Sequence, residues 1–330
     1  MKALVVDQYG KEQALHLKEM PDTPVSPGRL TIDVVYSGVG FVDVMLSRGE
    51  FTHVKTPFIP GLEVAGYVRE IGEGVEGFRI GEPVAAMTLT SIGGFASVAS
   101  VRPELTVRLE RLEGKLDLAT AAASIVNLTT AYIVMKDVIK LRKDESILVH
   151  AAVGGLGGFL GQVARRLGAG KVLGTVGSPE KTNLASEFGY DELFVRSHFV
   201  EQTLQATGGQ GVDAVLDPVG GDLRRRSHDV LQPFGQLVVL GNAGGQPDVI
   251  QSTNDLWFNN QAVAGFQLGS YSDAFPARVG QRALEALHML AAEYIRSDIY
   301  GIYPAEEANE ALRLLETGAT RGKLLLKMTE

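Results

Sequence analysis

An α/β fold of two domains is predicted for this 330-residue chain, one domain β-rich and the other built on a doubly wound parallel sheet. Three observations predict it. Residues 1 to about 122 carry short alternating apolar segments broken by dense turn signals, as antiparallel strands do. From Ser124 to about Gly265, strand-like and helix-like runs alternate, the pattern of a parallel sheet with helices on both faces. The tail then returns to a mixed pattern. The chain therefore divides into 1–123 with 266–330, and 124–265 inserted between them.

In order, the first region reads as strands over Lys2–Val6, Leu30–Tyr36, Ala65–Ile71, Pro83–Met87 and Phe95–Val101. Pro27-Gly28, Gly72-Glu73-Gly74, Gly77, Gly81 and Gly93-Gly94 supply the turns. In the inserted region the strands are Ile147–Val149, Val172–Val176, Leu193–Val195, Val212–Leu216, Leu237–Leu240 and Ala262–Phe266. The tail carries helices near Val279–Tyr294 and Ala305–Glu316, then a strand over Lys323–Met328. Neither an internal repeat nor a low-complexity tract is present.

The stretch Ile147 to Ala169 carries the most chemistry. A short apolar strand ends at His150, and the chain crosses Ala151 to Gly157 with no charge. Phe159, Leu160, Val163, Ala164 and Leu167 then recur at helical spacing until Gly168. Such a strand, glycine turn and helix lets a pyrophosphate approach the backbone at a helix N-terminus. Aligned on the GxGxxG pattern, the three positions are Ala152, Gly154 and Gly157, so the first glycine is alanine. No GxxxxGK[ST] follows the strand, so the site reads as a dinucleotide site. The second strand ends at Gly177, where an NAD site places Asp or Glu on the ribose. Ser178 and Lys181 follow instead, which favours a 2′-phosphate and hence NADP(H), with Arg196 as a second cation. The plain alternative for Lys181 is a solvated lysine beside Glu180.

Composition fits a soluble enzyme. Hydrophobic residues make up 45% and charged residues 21%, enough for ample cores and far from a disordered composition. A net charge of −8 without a basic stripe argues against nucleic acid or an anionic membrane as partner. No apolar run is read as long enough to span a bilayer, and MKALVVDQYG reads as strand and turn rather than as a signal peptide. Zero cysteines exclude disulfides and fit a reducing compartment; the expected location is cytoplasmic.

Several motifs, in one order, make the chain resemble the medium-chain dehydrogenase/reductase superfamily, within it the zinc-independent NADPH:quinone oxidoreductase branch. They are Val39-Gly40-Phe41-Val42-Asp43 with Ser47-Arg48-Gly49, and Pro60-Gly61-Leu62-Glu63-Val64-Ala65-Gly66. Asn127-Leu128-Thr129-Thr130-Ala131-Tyr132 and the His150–Gly157 turn come next. Asp217-Pro218-Val219-Gly220-Gly221, Val238-Val239-Leu240-Gly241 and Gly318-Ala319-Thr320-Arg321-Gly322-Lys323 complete the set. The resemblance implies a GroES-like catalytic domain, a Rossmann domain and a homodimer joined through Ala262–Phe266; an edge strand covered by the tail is the alternative.

Carried over position by position, the resemblance implies cofactor contacts from Gly154, Gly155, Leu156, Gly157, Ser178, Lys181, Gly241 and Asn242. It adds Phe266, Gln267 and Leu268 beside the nicotinamide, Thr130 on the entering helix, and Arg321 and Lys323 on the phosphate side. Plain packing competes for Thr130 and for Phe266 to Leu268, and surface exposure for the last two cations. Zinc-bearing relatives have a cysteine near Gly40 and a histidine at Leu62; here neither ligand exists, so no metal is expected. The six histidines are scattered and read as surface or packing residues.

Without a Lewis acid, a simple ketone's developing alkoxide lacks stabilisation, whereas a quinone or α,β-unsaturated carbonyl spreads the charge. The expected substrate is therefore a small quinone or enone. Asn and Tyr residues common among relatives are replaced by Gly40, Met45 and Phe51, which leaves Phe41, Met45 and Phe51 as an apolar pocket lining, or as core. Asp43 reads equally as a helix cap. No catalytic acid or base is assigned. An enoyl-CoA or other enoyl-thioester reductase, and a non-catalytic NADPH-binding protein, are the competing readings.

Overall fold

A computed structural model describes residues 1–10 and 14–329 of the chain. It divides into two compact units, Met1–Thr129 with Leu268–Glu330, and Thr130–Gln267.

In the first unit, β1 (Lys2–Val6) and β2 (Leu15–Glu19) form an antiparallel pair. Then come β3 (Leu30–Val39), α1 (Phe41–Arg48), β4 (Glu63–Ile71), β5 (Pro83–Met87), β6 (Val98–Val101), β7 (Thr106–Arg108) and α2 (Leu118–Ile133), whose last turn, from Thr130, belongs to the second unit. The second unit holds β8 (Ser146–Val149), α3 (Gly155–Arg166), β9 (Lys171–Val176), β10 (Glu192–Val195), α4 (Phe199–Ala206) and β11 (Val212–Asp217). It continues with α5 (Asp222–Ser227), β12 (Leu231–Val239), α6 (Thr253–Asn259) and β13 (Ala262–Gly265). The chain returns to the first unit with α7 (Leu268–Ala274), α8 (Pro276–Ala291), β14 (Ile299–Pro304), α9 (Ala308–Glu316) and β15 (Lys323–Lys327).

Beside the β1–β2 pair, two larger sheets carry the other strands. The order β14-β15-β3-β4-β5-β7, with β6 also on β3, makes a seven-stranded sheet that is antiparallel except for β14 with β15. Its core follows the strand period: Leu30, Ile32 and Val34 of β3 are all fully buried and face one another's neighbours on one side. On α9, Ala308, Ala311 and Leu312 recur at i, i+3 and i+4 and close that core. The other sheet runs β10-β9-β8-β11-β12-β13, all parallel. In chain order within the unit this is 3-2-1-4-5-6, so the strand order reverses between β8 and β11 and leaves a crevice beyond their carboxyl ends. Helices cover both faces, so Ile147, Leu148 and Val149 are buried without alternation. Truncating Leu148 there would cost about 2–5 kcal/mol.

The predicted elements appear as strands and helices of the predicted type. One expectation is corrected. The helical run Leu118–Val138 spans 21 residues and is long and apolar enough by composition to cross a bilayer. Its scattered Ser124, Asn127, Thr129 and Thr130 hide that length in the sequence. Since 67% of its apolar window is buried inside the protein, it behaves as a core helix.

Candidate active site

The glycine turn is shaped by one strained residue and one indispensable glycine. Ala151 has φ 54°, so the left-handed position falls on Ala151 and not on Ala152, where the motif's missing glycine aligns. Ala152 is instead fully buried, at a spot so tight that a Cβ on Gly174 would come within 2.5 Å of its own Cβ. Gly154 caps α3, and Gly155, Leu156 and Gly157 form its first turn. A Cβ on Gly157 would sit 2.2 Å from the Ala151 carbonyl oxygen, a clash with backbone that no rotamer relieves. Tyr190, buried, donates its hydroxyl hydrogen to the Gly157 carbonyl at 2.6 Å and braces this turn. Burial raises the Tyr190 pKa, which keeps the phenol a donor. The first N–H groups of α3 have no intrahelical acceptors and lie at the positive end of its dipole, so they attract an anion.

Beyond β9 stands a second candidate anion-binding element. Ser178 precedes the turn Pro179–Leu184, and its hydroxyl hydrogen-bonds the Glu180 carboxylate, holding that acid's pKa down. Burial and the nearby Arg196 guanidinium both lower the pKa of Lys181. Burial lowers that of Arg196 too, and its Nε is buried with no hydrogen-bond partner. Two cations that repel each other, one with an orphaned donor, suit a bound anion. Around Gly177 nothing lies within 4 Å of where a Cβ would project, so the approach is open.

Beyond β11 and β12, a buried ion pair fixes the loops. Asp217 Oδ1 accepts from the N–H groups of Val219 and Gly220 at 2.8 and 2.9 Å, and Oδ2 accepts from Arg224 Nε at 2.7 Å. Arg224 also donates to the Gly241 carbonyl at 2.5 Å. This ties the loop after β12 to α5. Next to it, Asn242 Nδ2 donates to the Gln246 carbonyl at 3.0 Å while its buried Oδ1 has no partner. The dinucleotide reading needs such unfilled polar atoms, and Asn242 Oδ1 and Arg196 Nε provide them. Phe266 follows β13 with its N–H on the Val239 carbonyl at 3.0 Å, and Gln267 ends the second unit. Leu268 belongs to the first unit and is buried. Thr130 opens the second unit on α2. Its neighbour Thr129, which sequence reading passed over, is buried with its Oγ1 unpartnered.

His150 was read as a surface or packing residue, and it packs. Ser227 Oγ donates to the Leu223 carbonyl at 2.8 Å, so at 2.8 Å from His150 Nε2 it must accept. The ring is therefore the neutral Nε2–H tautomer, with Nδ1 accepting from Thr175 Oγ1 at 2.9 Å. Burial pushes its pKa down to about 4. An edge contact with Phe199, at 5.1 Å between centroids, completes the enclosure.

In the first unit, Lys323 has a different place from the exposed cation that sequence reading allowed. It is buried, and its ammonium pairs with Glu63. Glu63 Oε2 in turn accepts from the Val126 N–H at 2.9 Å. Asp43 caps the start of α1: Oδ2 accepts from the Gly40 N–H at 2.8 Å, and Oδ1 reaches the Gly61 N–H at 2.9 Å. Burial drives the Asp43 pKa up to about 6, against the opposing pull of those N–H groups and of Lys323. Phe41 and Phe51, half-buried, pack against the apolar core of this unit, and Met45 is half-buried on α1. Arg321 lies 3.4 Å from Asp298.

Compared with known proteins, residues 26–111 match the alcohol dehydrogenase GroES-like domain, and residues 155–285 match the zinc-binding dehydrogenase family. The chain is 31% identical over 333 residues to the "Probable quinone oxidoreductase" of Schizosaccharomyces pombe, covering 98% of this chain and 96% of that one. The quinone oxidoreductase of Pseudomonas syringae superposes with a TM-score of 0.90 at 29% identity, over 99% of both chains. That of Escherichia coli, solved in complex with NADPH, superposes with a TM-score of 0.89 at 27% identity, over 99% of this chain and 100% of that one.

A zinc-binding description raises the question of a metal here. Among the described residues, no group of three or more His, Cys, Asp or Glu side chains gathers around a common point. Glu63 already holds an ammonium, which a divalent cation would have to displace. The donor set does not fit zinc.

Proposed function

The chain belongs to the zinc-independent quinone oxidoreductase branch of the medium-chain dehydrogenase/reductase superfamily, and we propose that it uses NADPH to reduce quinones or α,β-unsaturated carbonyls without a bound metal. The observation that carries the proposal is the Lys181–Arg196 pair with its orphaned Nε, beyond a glycine turn that excludes any side chain at Gly157. A 2′-phosphate supplies the acceptor that Arg196 Nε lacks and a counter-charge to both cations, which a ribose hydroxyl would not.

When bound, the cofactor supplies a hydride from its dihydronicotinamide ring. The chain's own residues bind and orient it. The α3 N-terminus holds the pyrophosphate, and Ser178, Lys181 and Arg196 hold the 2′-phosphate. Arg224, through the Gly241 carbonyl, fixes the loop from which Asn242 Oδ1 meets a ribose donor. A conjugated acceptor suits these residues because its arriving charge is delocalised and needs few donors.

We further propose a homodimer through the free edge of β13. Val263 on that strand is exposed, as are Trp257 and Phe258 on α6 beside it. An uncovered apolar edge invites strand pairing. Sedimentation should give a dimer that Val263→Lys weakens; a wild-type monomer at micromolar concentration would refute it.

The decisive test of the activity is oxidation of NADPH, with NADH in parallel, by a quinone, a medium-chain enone and crotonyl-CoA after exhaustive chelation. Turnover of the quinone or enone with NADPH is the expected result. Turnover of crotonyl-CoA alone would transfer the chain to enoyl-thioester reduction, and binding without turnover would make it a cofactor-binding protein.

A further inference from the structure

By composition α3 is a poor helix. Four of its 12 residues, Gly155, Gly157, Gly158 and Gly161, are glycine, and glycine loses more backbone freedom in a helix than any other residue. All four lie toward its N-terminal end, where the first N–H groups lack intrahelical acceptors and face the pyrophosphate position. The N-cap, Gly154, has no side chain with which to cap them. Local propensity therefore leaves this end loose, and contacts from outside the helix have to hold it.

Tyr190 supplies such a contact. Its ring lies in a slot that two glycines open. A Cβ on Gly161 of α3 would come within 2.5 Å of Tyr190 Cε2, and one on Gly174 of β9 within 3.0 Å of Cε1. Phe188 takes the neighbouring place, where a Cβ on Gly158 would meet its ring at 2.8 Å. From the slot the phenol, 4% exposed, donates to the Gly157 carbonyl at 2.6 Å. The backbone that carries it is pinned. The Tyr190 N–H donates to the Ala185 carbonyl at 3.0 Å, and the Asp191 N–H to the Val172 carbonyl of β9 at 2.8 Å. One Asp191 carboxylate oxygen accepts from the Val172 N–H at 2.8 Å, and the other pairs with Arg165 in the last turn of α3 at 2.6 Å. The segment Phe188 to Asp191 thus grips α3 at both ends, and Tyr190 holds the end that carries the glycine turn.

We propose that Tyr190 is a positioning residue of the dinucleotide site: its hydroxyl, from behind the turn, holds Gly157 and the free N–H groups of α3 in the arrangement the pyrophosphate needs. This rests on the proposed cofactor reading and deepens it, by making pyrophosphate affinity depend on a buried phenol. Donors already held in place bind an anion without the ordering cost that a loose glycine turn would add. The Ser178, Lys181 and Arg196 element beyond β9 has no part in the bond between Tyr190 and Gly157, so the two contributions to cofactor affinity are separable.

Tyr190→Phe keeps the ring in its slot and removes only the hydroxyl. In equilibrium binding to the full-length protein, the variant should lose about tenfold in affinity for NADPH and the same factor for NADH, so that their ratio keeps its wild-type value. Adenosine 2′-monophosphate, which has the 2′-phosphate but no pyrophosphate, should bind within about twofold of wild type. In turnover, KM for NADPH should rise about tenfold while kcat at saturating nucleotide stays within about twofold. A second measurement needs no nucleotide: amide hydrogen exchange over Gly154 to Gly161 should be about tenfold faster in the variant, with the strands of the parallel sheet unchanged. Wild-type affinity for both nucleotides in the variant, an equal loss for adenosine 2′-monophosphate, or unchanged exchange at the turn would each overturn the proposal. A wild type that binds both nucleotides equally, or binds them and reduces no acceptor, would instead refute the proposed function, while the matched loss in Tyr190→Phe would leave the role of Tyr190 standing.

Discussion

In the parallel-sheet unit the buried imidazole of His150 is closed in by two hydroxyls and an aromatic ring. In the β-rich unit the buried ammonium of Lys323 pairs, among the described residues, with the carboxylate of Glu63. The first centre is neutral and satisfied, as a group that only holds strands and helices together should be. The second is an ion pair whose carboxylate is anchored on a backbone N–H, so removing either partner would strand a buried charge. The difference is one of charge: a histidine, by type the more usual catalyst, is here a neutral packing residue, while the buried charge of the other unit must be matched by a partner.

The largest effect should come from breaking the buried Asp217–Arg224 pair of the parallel-sheet unit. Asp217→Ala strands the guanidinium of Arg224, which is only 10% exposed, and removes the acceptor for two loop N–H groups. Denaturant unfolding should show a loss of about 3–5 kcal/mol. A loss under 1 kcal/mol would mean that the latch is not a structural unit.

Acid should act on the two units in opposite directions. For His150 the folded pKa, about 4, lies below the unfolded 6.5. The unfolded chain binds the extra proton between those values, so stability falls by about 3 kcal/mol as pH drops across that window. For Asp43 the folded pKa, about 6, lies above the unfolded 3.8. Here the folded chain holds the extra proton, so stability falls by about 3 kcal/mol as pH rises across 3.8 to 6. The two slopes nearly cancel between about pH 4 and 6. Asp43→Asn should therefore make stability rise with pH in that interval, and His150→Asn should make it fall. Unfolding measured from pH 4 to 6.5 checks both signs, and the same slope in both variants would contradict them.

Much of this was legible in the sequence because it is local. The strand–turn–helix of β8 and α3 needs only neighbours in the chain, and so do the apolar runs of the sheet core. Short or edge strands were not read: β2 (LHLKE), β7 (TVR) and β14 (IYGIYP) have little pattern of their own and become strands by pairing with β1, β5 and β15. The positive φ at Ala151 was not legible either, since a motif aligned on glycines does not say which residue of the turn is left-handed. The centre at Lys323 was hidden for a different reason. A lysine before a strand reads as solvated, and only folding brings the end of the chain against Glu63. Arg224 escaped for the same reason, its contact with Gly241 being tertiary.

Smaller effects sharpen the comparison within the cofactor region. Gly157→Ala drives a Cβ into the Ala151 carbonyl and should weaken NADPH binding at least tenfold, about 1.4 kcal/mol, whereas Gly177→Ala meets nothing and should leave it unchanged. Calorimetric titration of both variants measures the contrast. At the bottom of the scale, Arg225 pairs with Asp222 in the open, and Arg225→Ala should leave the Tm within error of wild type.

The central claim, that the pair beyond β9 reads a 2′-phosphate, is tested most directly by equilibrium binding of NADPH and NADH to wild type and to Lys181→Ala/Arg196→Ala. The account predicts that wild type prefers NADPH at least tenfold and that the double variant loses this preference by weakening NADPH alone. Equal affinities in wild type, or a double variant that still prefers NADPH, would contradict it.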